Sequence, residues 1–425
     1  MGNSGKIIIN KKGVALITAY MVIAVLLAFG GFVIDVSNSQ NKTANTFKRQ
    51  AQVINIAEAG LDQALVTIRS LGTPPSGSIT NSTIGYIVTY TKLAPLVGGD
   101  PNMVRYKVQS TGTIGTISQT ITNYLRTDNY ARYIWFTDGE NYQGTNVWFW
   151  DQDHLNGPTQ TNGHFNIKGD PVFGGVVRSV DDYIRYYNNG NNINSSNLSN
   201  PPHDLPDFQD AVTLGSDSIK MPTQALNLRA ASTAAGGLRY TGNTTILLNS
   251  NGTMNLTNSG HTYNNMSLPA NGALFVNNGN LNISGTLSGR LTVGASGDIN
   301  VTNNIIYAYD PRLPGSTSTD TLGLISEGDV MIDKDASHTN LEIDASIMAL
   351  NTSFMLEDWW EGGARGTLSV FGGIIQKQRG PVGTFSGTTK VSGYSKNYNY
   401  DARLLIYPPP FVPTTDDYIT ITWEN

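Results

Sequence analysis

Residues 14–34 read VALITAYMVIAVLLAFGGFVI, and none of these 21 residues carries a charge. At about 1.5 Å of rise per residue, such a stretch forms a helix about 30 Å long, which matches the hydrocarbon core of a membrane. Three lysines, Lys6, Lys11 and Lys12, precede it, and the first charge after it is Asp35. Because positive residues stay on the cytoplasmic side, the pattern predicts a single-pass protein of the inner or cytoplasmic membrane, with a cytoplasmic N-terminus and the bulk of the chain outside.

The segment that follows predicts a continuation of the same helix. Apolar residues recur at intervals of three and four, with one carboxylate among them, at Phe47, Ala51, Ile54, Glu58, Leu61, Leu65 and Ile68. The first proline of the chain is Pro74. The spacing therefore predicts one helix over residues 14–71, about 87 Å long, which is apolar all round at first and then packs one face on another element.

Two short motifs on this helix carry a family resemblance. A basic pair and a glycine at residues 11–13 stand directly before the apolar run, and residues 52–61 read QVINIAEAGL. Together they resemble the N-terminal region of PilX-type type IV pilus assembly proteins, a group of minor pilins. The resemblance implies that a prepilin peptidase removes residues 1–13 as a leader by cutting between Gly13 and Val14.

Thr18 departs from the pattern of major pilins, which carry a glutamate at the fifth mature position. A carboxylate there would pair with the N-terminal amine of a neighbouring subunit, and a threonine cannot form that ion pair. The resemblance then favours a subunit at a filament tip, beyond which no subunit lies. Two alternatives remain open: an anchor that is never cleaved, and a Tad-type pilus-associated anchor, since residues 31–35 fit the G-x-x-x-D pattern of that family.

Composition excludes several classes of protein. The 425 residues are too many for one compact core, so they predict two or more domains or one elongated repetitive domain. Charged residues make up 14% and the net charge is -5, which argues against a nucleic-acid partner. Because the chain has no cysteine, disulfides, thiolate metal sites and cysteine nucleophiles are impossible.

Residues 72–126 predict a small antiparallel β meander. Its strands are segments that alternate β-branched or aromatic residues with polar ones, at 86–90, 104–108 and 117–121, separated by glycine-rich turns at 98–101 and 112–115. We expect this meander to cover the apolar side of the second half of the helix, as in pilins.

Residues 130–410 predict a second, larger β-rich exported domain. A helical period occurs only around residues 180–187, and the rest consists of short apolar runs closed by Asn, Gly or Ser, at 245–248, 273–276, 281–283, 290–293, 298–301, 324–326, 329–332, 341–344 and 367–370. Such runs predict a right-handed parallel β-helix in which corner asparagines hydrogen-bond their copies in the next coil. An open β-sandwich is the alternative. The fold class is therefore α+β and mostly β.

Two segments near the C-terminus complete the domain prediction. Residues 322–410 resemble a poorly characterised β-rich domain found behind pilin-type helices, and this resemblance implies no activity. Residues 411–425 are expected to form a tail.

The acidic turn at residues 151–157 has the ingredients of a calcium loop but not its spacing. The third ligand position holds Leu155, and the twelfth holds Asn162 in place of a glutamate. His154 and His164 lie ten residues apart without a third ligand at metal spacing. We predict a polar turn, no metal and no cofactor.

One cluster mixes carboxylates with aromatic rings, the side chains that line sugar-binding clefts. It comprises Glu357, Trp359, Trp360 and Glu361, which are the candidate glycan contacts. A glycosidase needs two carboxylates a defined distance apart on rigid strands, whereas this cluster is predicted in a loop. We expect no catalytic residues, and we expect packing of the aromatic rings on the domain edge as the simplest role.

The first functional hypothesis is a structural or assembly subunit of a bacterial type IV pilus or related surface filament. Its expected partners are membrane lipid, other pilin or pseudopilin subunits and a prepilin peptidase, and no nucleic acid. The alternatives are a membrane-anchored glycan-binding adhesin, with surface glycans as partners, and a polysaccharide hydrolase.

Overall fold

The computed structural model describes residues 11–95, 100, 102–198, 203–387 and 389–424. Within them the helices are α1 (Lys11–Leu71) and α2 (Leu226–Thr233), with 3₁₀ turns at Tyr130–Arg132, Asn188–Gly190 and Ala402–Leu405. The first strands are β1 (Ser78–Asn81), β2 (Tyr86–Leu93), β3 (Arg105–Ile114), β4 (Ile117–Asn129), β5 (Trp135–Gly139), β6 (Asn141–Tyr142), β7 (Thr145–Asn146), β8 (Phe149–Trp150), β9 (His154–Asn156), β10 (Thr159–Thr161), β11 (Asn166–Lys168), β12 (Val172–Phe173), β13 (Val177–Ser179), β14 (Arg185–Tyr186), β15 (Ile193–Asn194), β16 (Asp207–Phe208) and β17 (Val212–Leu214). After α2 come β18 (Leu238–Thr241), β19 (Thr244–Asn249), β20 (Thr253–Asn258), β21 (His261–Ser267), β22 (Ala273–Asn277), β23 (Leu281–Leu287), β24 (Arg290–Ala295), β25 (Ile299–Tyr307), β26 (Thr321–Ser326), β27 (Val330–Ile332), β28 (Leu341–Ala349), β29 (Phe354–Leu356), β30 (Ala364–Gln378), β31 (Gly383–Ser386), β32 (Thr389–Tyr400) and β33 (Thr414–Glu424).

These elements confirm the predicted fold class, α+β and mostly β, behind one long N-terminal helix. The chain divides into two compact units. The first contains the residues up to Thr91, Tyr106–Leu125 and the residues from Thr420 onward, and the second contains Lys92–Arg105 and Arg126–Ile419.

Helix α1 is uninterrupted over 61 residues. This confirms the predicted helix over residues 14–71, including its end at Leu71. Gly72 follows with a φ of +69°, a left-handed conformation that glycine adopts without strain just beyond a helix end. Among the helices of the described residues, α1 is the one long and apolar enough to cross a membrane.

The second half of α1 packs on the sheet of the first unit, whose strand order is β1-β2-β3-β4-β33. The buried helix positions recur at intervals of three and four and include several small residues: Val53, Ala57, Gly60, Leu61, Ala64 and Ile68. On the sheet, the buried apolar side chains include Tyr86, Val88, Tyr90 and Val108. Their alternation along β2 places every second residue in the core, as expected for a sheet that is covered on one face.

Two glycines set the distance between helix and sheet. A Cβ on Gly112 of β3 would collide with the carbonyl oxygen of Val53 and would lie 2.8 Å from the amide nitrogen of Ala57. A Cβ on Gly60 would collide with the hydroxyl of Ser110. Because the backbones approach this closely, the buried face of α1 follows its small residues.

The sequence predicted that the packed face of α1 carries the residues spaced by three and four from Phe47 to Ile68. This prediction is wrong for the first half of that series. Phe47 is 65% exposed and Ile54 is 40% exposed, and Ala51 and Glu58 are exposed as well. Further along, Leu61 and Ile68 are buried as predicted and Leu65 is half-buried. A shift of one residue turns the face of a helix by about 100°, and close packing favours small residues over the largest apolar ones.

The predicted meander is confirmed as an antiparallel one, with β2, β3 and β4 at the three predicted positions and β1 added before them. The turn predicted at 112–115 is wrong at its start, because β3 continues to Ile114 and the turn lies at Gly115 and Thr116. Of the turn predicted at 98–101, only Asp100 is among the described residues. The tail predicted at 411–425 is also wrong, since β33 joins the sheet beside β4.

The second unit is built from ladders of parallel strands. One ladder runs β18-β22-β24-β26-β28-β30-β5-β10-β13-β17. A second runs β23-β25-β28-β30-β32-β9-β12-β16, and a third runs β19-β23-β25-β27-β29. Within each ladder, every strand between the two ends has a parallel partner on both sides, a pairing that an antiparallel sandwich does not provide.

The coils do not stack in chain order. Strands β5 to β17 form one winding, and β18 to β32 form another. The two windings meet where β30 pairs with β5, Ile374 opposite Trp135, and where β32 pairs with β9, Tyr398 opposite Leu155. We call this junction the closure; nothing in the local sequence pattern predicts it.

Stacked asparagines are present, but these pairs lie on paired strands and not at the corners where the sequence predicts them. Asn300 donates to the side-chain oxygen of Asn282 at 2.9 Å, and the two residues are register partners on β25 and β23. Asn156 donates to the side-chain oxygen of Asn399 at 2.8 Å across the closure, where the two residues are register partners on β9 and β32. These bonds link the side chains of neighbouring parallel strands.

Two local predictions in this unit are wrong. Residues 180–187 form no helix and instead contain β14. Helix α2 was not predicted; Leu228 and Ala231 of this helix are buried in a cluster with Phe275 and Ile325. Its eight residues are too few for a clear 3.6-residue period, so burial against the coils and not local pattern decides the conformation.

Candidate functional site

The first candidate site is the start of α1. Gly13 and Val14 are both helical, and residues 1–10 of the predicted leader lie outside the described residues. Thr18 donates from its hydroxyl to the backbone oxygens of Val14, at 3.1 Å, and Ala15, at 3.0 Å. The hydroxyl of Thr18 is thus satisfied within its own helix.

The second candidate is the surface of α1. Every residue from 14 to 49 is exposed, and the exposed side chains include large apolar ones such as Leu27, Phe29 and Phe32. Beyond the apolar stretch, a shallow groove on the helix is lined by Val36, Ser39, Gln40, Thr43, Ala44 and Phe47. This surface is not covered by the described part of the chain itself.

The third candidate is a cavity of about 500 Å³ in the second unit, which we call the aromatic pocket. It is lined by Tyr142, Gln143, Thr145, Asn146, Val147, Trp148, Trp150, Lys168, Trp359, Trp360, Gly380, Pro381, Val382, Gly383, Thr384, Phe385 and Lys396. These residues come from the β6–β7 hairpin, from β8, β11, β31 and β32, and from the turn after β29. Segments far apart in sequence therefore build one site.

Four tryptophans form much of the pocket wall. Trp359 and Trp360 pack edge to face with ring centroids 5.3 Å apart, and Trp150 lies edge to face against Phe385 at 3.7 Å. Trp360 is 57% exposed, whereas Trp150 is buried. The indole N–H groups of Trp150 and Trp359 have no hydrogen-bond acceptor among the described residues. The pocket thus combines one accessible ring with rings held in place by the core.

The charged residues of the pocket lining are both lysines. Lys168 donates to the carbonyl oxygen of Gly387 at 3.1 Å and lies 5.0 Å from the centroid of the Tyr187 ring. Lys396 is nearly buried and pairs with Asp153 at 2.7 Å. Burial lowers the pKa of Lys396, against the opposing effect of Asp153. Among the described residues, no carboxylate belongs to the lining.

Below the pocket, Lys396 belongs to a buried ionic network. Arg379 lies 3.2 Å from Glu140 and 3.7 Å from Asp153, and all three side chains are buried. The guanidinium of Arg379 also lies 3.5 Å from the centroid of the Phe149 ring. This network spans the closure and reaches the pocket lining through Lys396.

The four predicted glycan contacts separate in the structure. Trp359 and Trp360 line the aromatic pocket, whereas Glu357 and Glu361 do not. Glu357 instead accepts a hydrogen bond from the backbone nitrogen of Lys334 at 3.2 Å. The cluster lies in a turn after β29, as predicted. Of this cluster, the described lining of the pocket therefore contains the two aromatic rings and neither glutamate.

In the acidic turn at 151–157, Asp151 and Asp153 bond other groups of the protein. Asp151 accepts a hydrogen bond from the backbone nitrogen of Asp170 at 3.0 Å, and Asp153 belongs to the ionic network. His164 lies 2.8 Å from Asp181 and stacks on Tyr183. Within the described ranges, no three His, Asp or Glu side chains converge as metal ligands do.

Sequence reasoning missed most of the pocket. Trp148, Trp150, Lys168, Phe385 and Lys396 were not singled out. The one available signal was the run VWFW at residues 147–150, an unusual density of tryptophan. The ring that Trp150 contacts, Phe385, lies more than 200 positions away, and local patterns do not reveal it.

A family model described as a domain of unknown function, DUF4900, matches residues 102–181, which lie outside the 322–410 segment for which a resemblance was predicted. No curated protein matches the chain. A solved structure, the competence-associated pilin ComZ from Thermus thermophilus, is similar at 13% identity over 88% of this chain and 97% of that chain, with a TM-score of 0.36. None of these comparisons confirms the PilX-type resemblance.

Proposed function

We propose that the protein is a non-enzymatic, pilin-like structural or assembly subunit of a bacterial type IV pilus or related surface filament. Helix α1 holds it in the membrane before assembly, and the β-rich units lie outside. The observation that carries the proposal is the long face of α1 that the described part of the chain leaves uncovered.

The uncovered face is longer than a membrane anchor needs. About 20 apolar residues span the hydrocarbon core, and residues 14–34 supply them. Residues 35–49 continue the same helix for about 22 Å, and all of them are exposed. Because an isolated helix gains little stability from propensity alone, this extension is better explained by helices of other subunits that pack beside it.

One face of this exposed part of α1, continued to residue 58, is a stripe that we call the outer stripe. It follows the spacing of three and four that one helix face requires and comprises Val36, Gln40, Thr43, Phe47, Ala51, Ile54 and Glu58, all of them exposed. Its second half is the part of the predicted stripe that does not pack on the sheet. A neighbouring pilin-like helix in a filament core is the occupant that we propose for it.

The finer assignments rest on the sequence motifs. Cleavage between Gly13 and Val14 by a prepilin peptidase, a PilX-type minor pilin identity and a position at the filament tip all follow from the resemblance. Mass spectrometry of the protein purified from native membranes tests the cleavage: a mature chain that begins at Val14 supports it. An intact 1–13 leader favours the uncleaved anchor and leaves the membrane topology unchanged.

A photo-crosslinking experiment tests the lateral contact. The amino acid p-benzoylphenylalanine replaces Phe47 on the outer stripe, and in a control it replaces Arg49, which is exposed on roughly the opposite side of the helix, about 200° away. After irradiation of cells that form filaments, the Phe47 position should yield adducts that contain an N-terminal helix peptide of a pilin-like subunit. Adducts of equal yield from Arg49, or lipid adducts alone from Phe47, would contradict the proposal.

A further inference from the structure

We propose that the aromatic pocket binds a carboxylated saccharide, a pyranose ring that carries an acid group such as a uronic acid. This inference goes beyond the filament role and does not depend on it. The pocket lies wholly in the second unit and shares no residue with the outer stripe.

The shape and walls of the pocket fit sugar rings. A volume of about 500 Å³ falls in the range of small-molecule sites. Pyranose rings have an apolar C–H face and a polar edge, and aromatic rings provide the matching apolar surface. Trp360 is accessible to such a ring, while Trp359 supports it edge to face.

Polar groups surround these walls. Gln143, Asn146 and Thr384 supply amide and hydroxyl groups that match the hydroxyl edge of a sugar. The indole N–H of Trp150, a residue that is 97% buried, has no acceptor among the described residues.

The positive charges of the pocket lining favour a ligand that carries a carboxylate. This lining contains two lysines and, in the described residues, no carboxylate. Lys396 is paired with Asp153. Among the described residues, Lys168 donates a hydrogen bond to the carbonyl oxygen of Gly387. Since an ammonium group has three donors, Lys168 retains donors for a ligand carboxylate. The described residues of the lining supply no carboxylate, whereas a glycosidase needs a pair of them, so we propose binding and not hydrolysis for this pocket.

The experiment measures binding to the full-length protein in a detergent without a sugar head group. The probes are tetragalacturonate, a hyaluronan tetrasaccharide and sialyllactose, each compared with its uncharged methyl ester, and the readouts are tryptophan fluorescence and calorimetry. We expect saturable binding of at least one acidic probe, at least tenfold weaker binding of its ester, and an unchanged probe after incubation.

Variants connect the binding to the pocket. Trp360→Ala and Lys168→Gln should each weaken binding about tenfold, which corresponds to about 1.4 kcal/mol. Tyr309→Ala, which removes another exposed aromatic ring of the same unit, should leave binding unchanged. Thermal melting of each variant shows whether it is folded. Failure of all three acidic probes to bind, equal binding of the esters, or binding that survives both pocket substitutions would overturn the proposal.

Discussion

Arg379 and Glu140 form a buried ion pair, with 3.2 Å between Nη1 and Oε2, although 239 residues separate them in the chain. Asp153 and Lys396 extend this pair into a network across the closure. Trp135 adds a hydrogen bond from its indole nitrogen to Glu140 at 3.1 Å. Buried ion pairs therefore stabilise the closure in addition to the pairing of its strands.

We expect Arg379→Met to destabilise the protein by about 3–5 kcal/mol, because it leaves the buried carboxylate of Glu140 without its cation, whereas Asp153 keeps Lys396. Thermal melting of the full chain in detergent measures the effect. Lys377→Met is the matched control, since its ion pair with Asp138 lies at the same closure but is partly exposed, and such pairs contribute about 0–1 kcal/mol. Equal melting temperatures for the two variants would show that the network does not hold the closure.

Substitution of Gly60 should loosen α1 from its sheet. Gly60→Ala places a methyl group against the hydroxyl of Ser110 and about 3.1 Å from the ring of Tyr86, and overpacking of this kind costs about 1–3 kcal/mol. Ser110→Ala removes a buried hydroxyl that has no partner in the described residues, so the double variant should recover part of the loss. Denaturant unfolding measures all three variants.

Gly31→Ala is the control for Gly60→Ala on the same helix. A Cβ at Gly31 meets no atom within 4 Å, so this variant should be as stable as the parent or slightly more stable. A loss at Gly31 equal to that at Gly60, or a double variant no better than Gly60→Ala, would refute the steric explanation.

Charge in the apolar stretch should abolish membrane retention. Arg in place of Val25 or Leu26 costs about 2.5–3.5 kcal/mol of insertion free energy per residue, and filament incorporation should be lost together with insertion. Glu357→Gln should change neither property. Membrane fractionation and immunodetection of filaments give the answer; normal retention of the arginine variants would contradict the anchor.

Asp344 should make the stability depend on pH. Burial raises the pKa of this carboxyl to about 7, against the opposing hydrogen bond from the backbone nitrogen of Tyr307 and the charge of Arg312. Since the pKa is higher in the folded than in the unfolded state, the folded protein binds the proton more tightly and stability falls as the pH rises from about 4 to about 7.

Asp344→Asn tests this pH dependence. An amide keeps an acceptor for the Tyr307 nitrogen, which lies 3.1 Å from Asp344, and it does not ionise. The variant should show a flatter profile over this range and should be more stable than the parent above pH 7. Denaturant midpoints from pH 4 to pH 8 provide the measurement, and parallel profiles for parent and variant would disprove the assignment.

Local and repetitive features were predictable from the sequence. The 21 uncharged residues and the absence of proline before Pro74 are enough to predict α1 from Val14 to its end at Leu71. Alternation and turn residues are enough for the meander. Asparagine-closed apolar runs indicate the many short strands of the second unit, but they leave a parallel coil and an open β-sandwich both possible.

Features that depend on packing were not predictable in this way. The buried face of α1 follows Ala57, Gly60 and Ala64 because two backbones approach closely, and side-chain size alone points to a different face. Strand β33 could have been found, because residues 418–423 read YITITW and alternate clearly.

The candidate site was predicted only in its exposed part. Trp359 and Trp360 are recognisable in the sequence as an aromatic pair. The sequence around Lys168 and Lys396 contains no motif that indicates a role in the pocket. Lys396 lies on β32, whose pairing with β9 joins residues more than 200 positions apart, whereas Lys168 lies on β11 beside β8. Information of this kind lies in the three-dimensional arrangement and in no single segment.

The order of the coils has a consequence for folding during synthesis. A chain that emerges N-terminus first releases β5 long before β30, its partner, exists outside the ribosome. Until then one edge of β5 is open, and open strand edges invite pairing with other chains. Closing a loop of about 240 residues costs about 5 kcal/mol of chain entropy beyond a constant, so the last rung should form slowly. A protein cut short before residue 374 would therefore keep an adhesive edge, and a prematurely terminated chain should aggregate where the complete one does not.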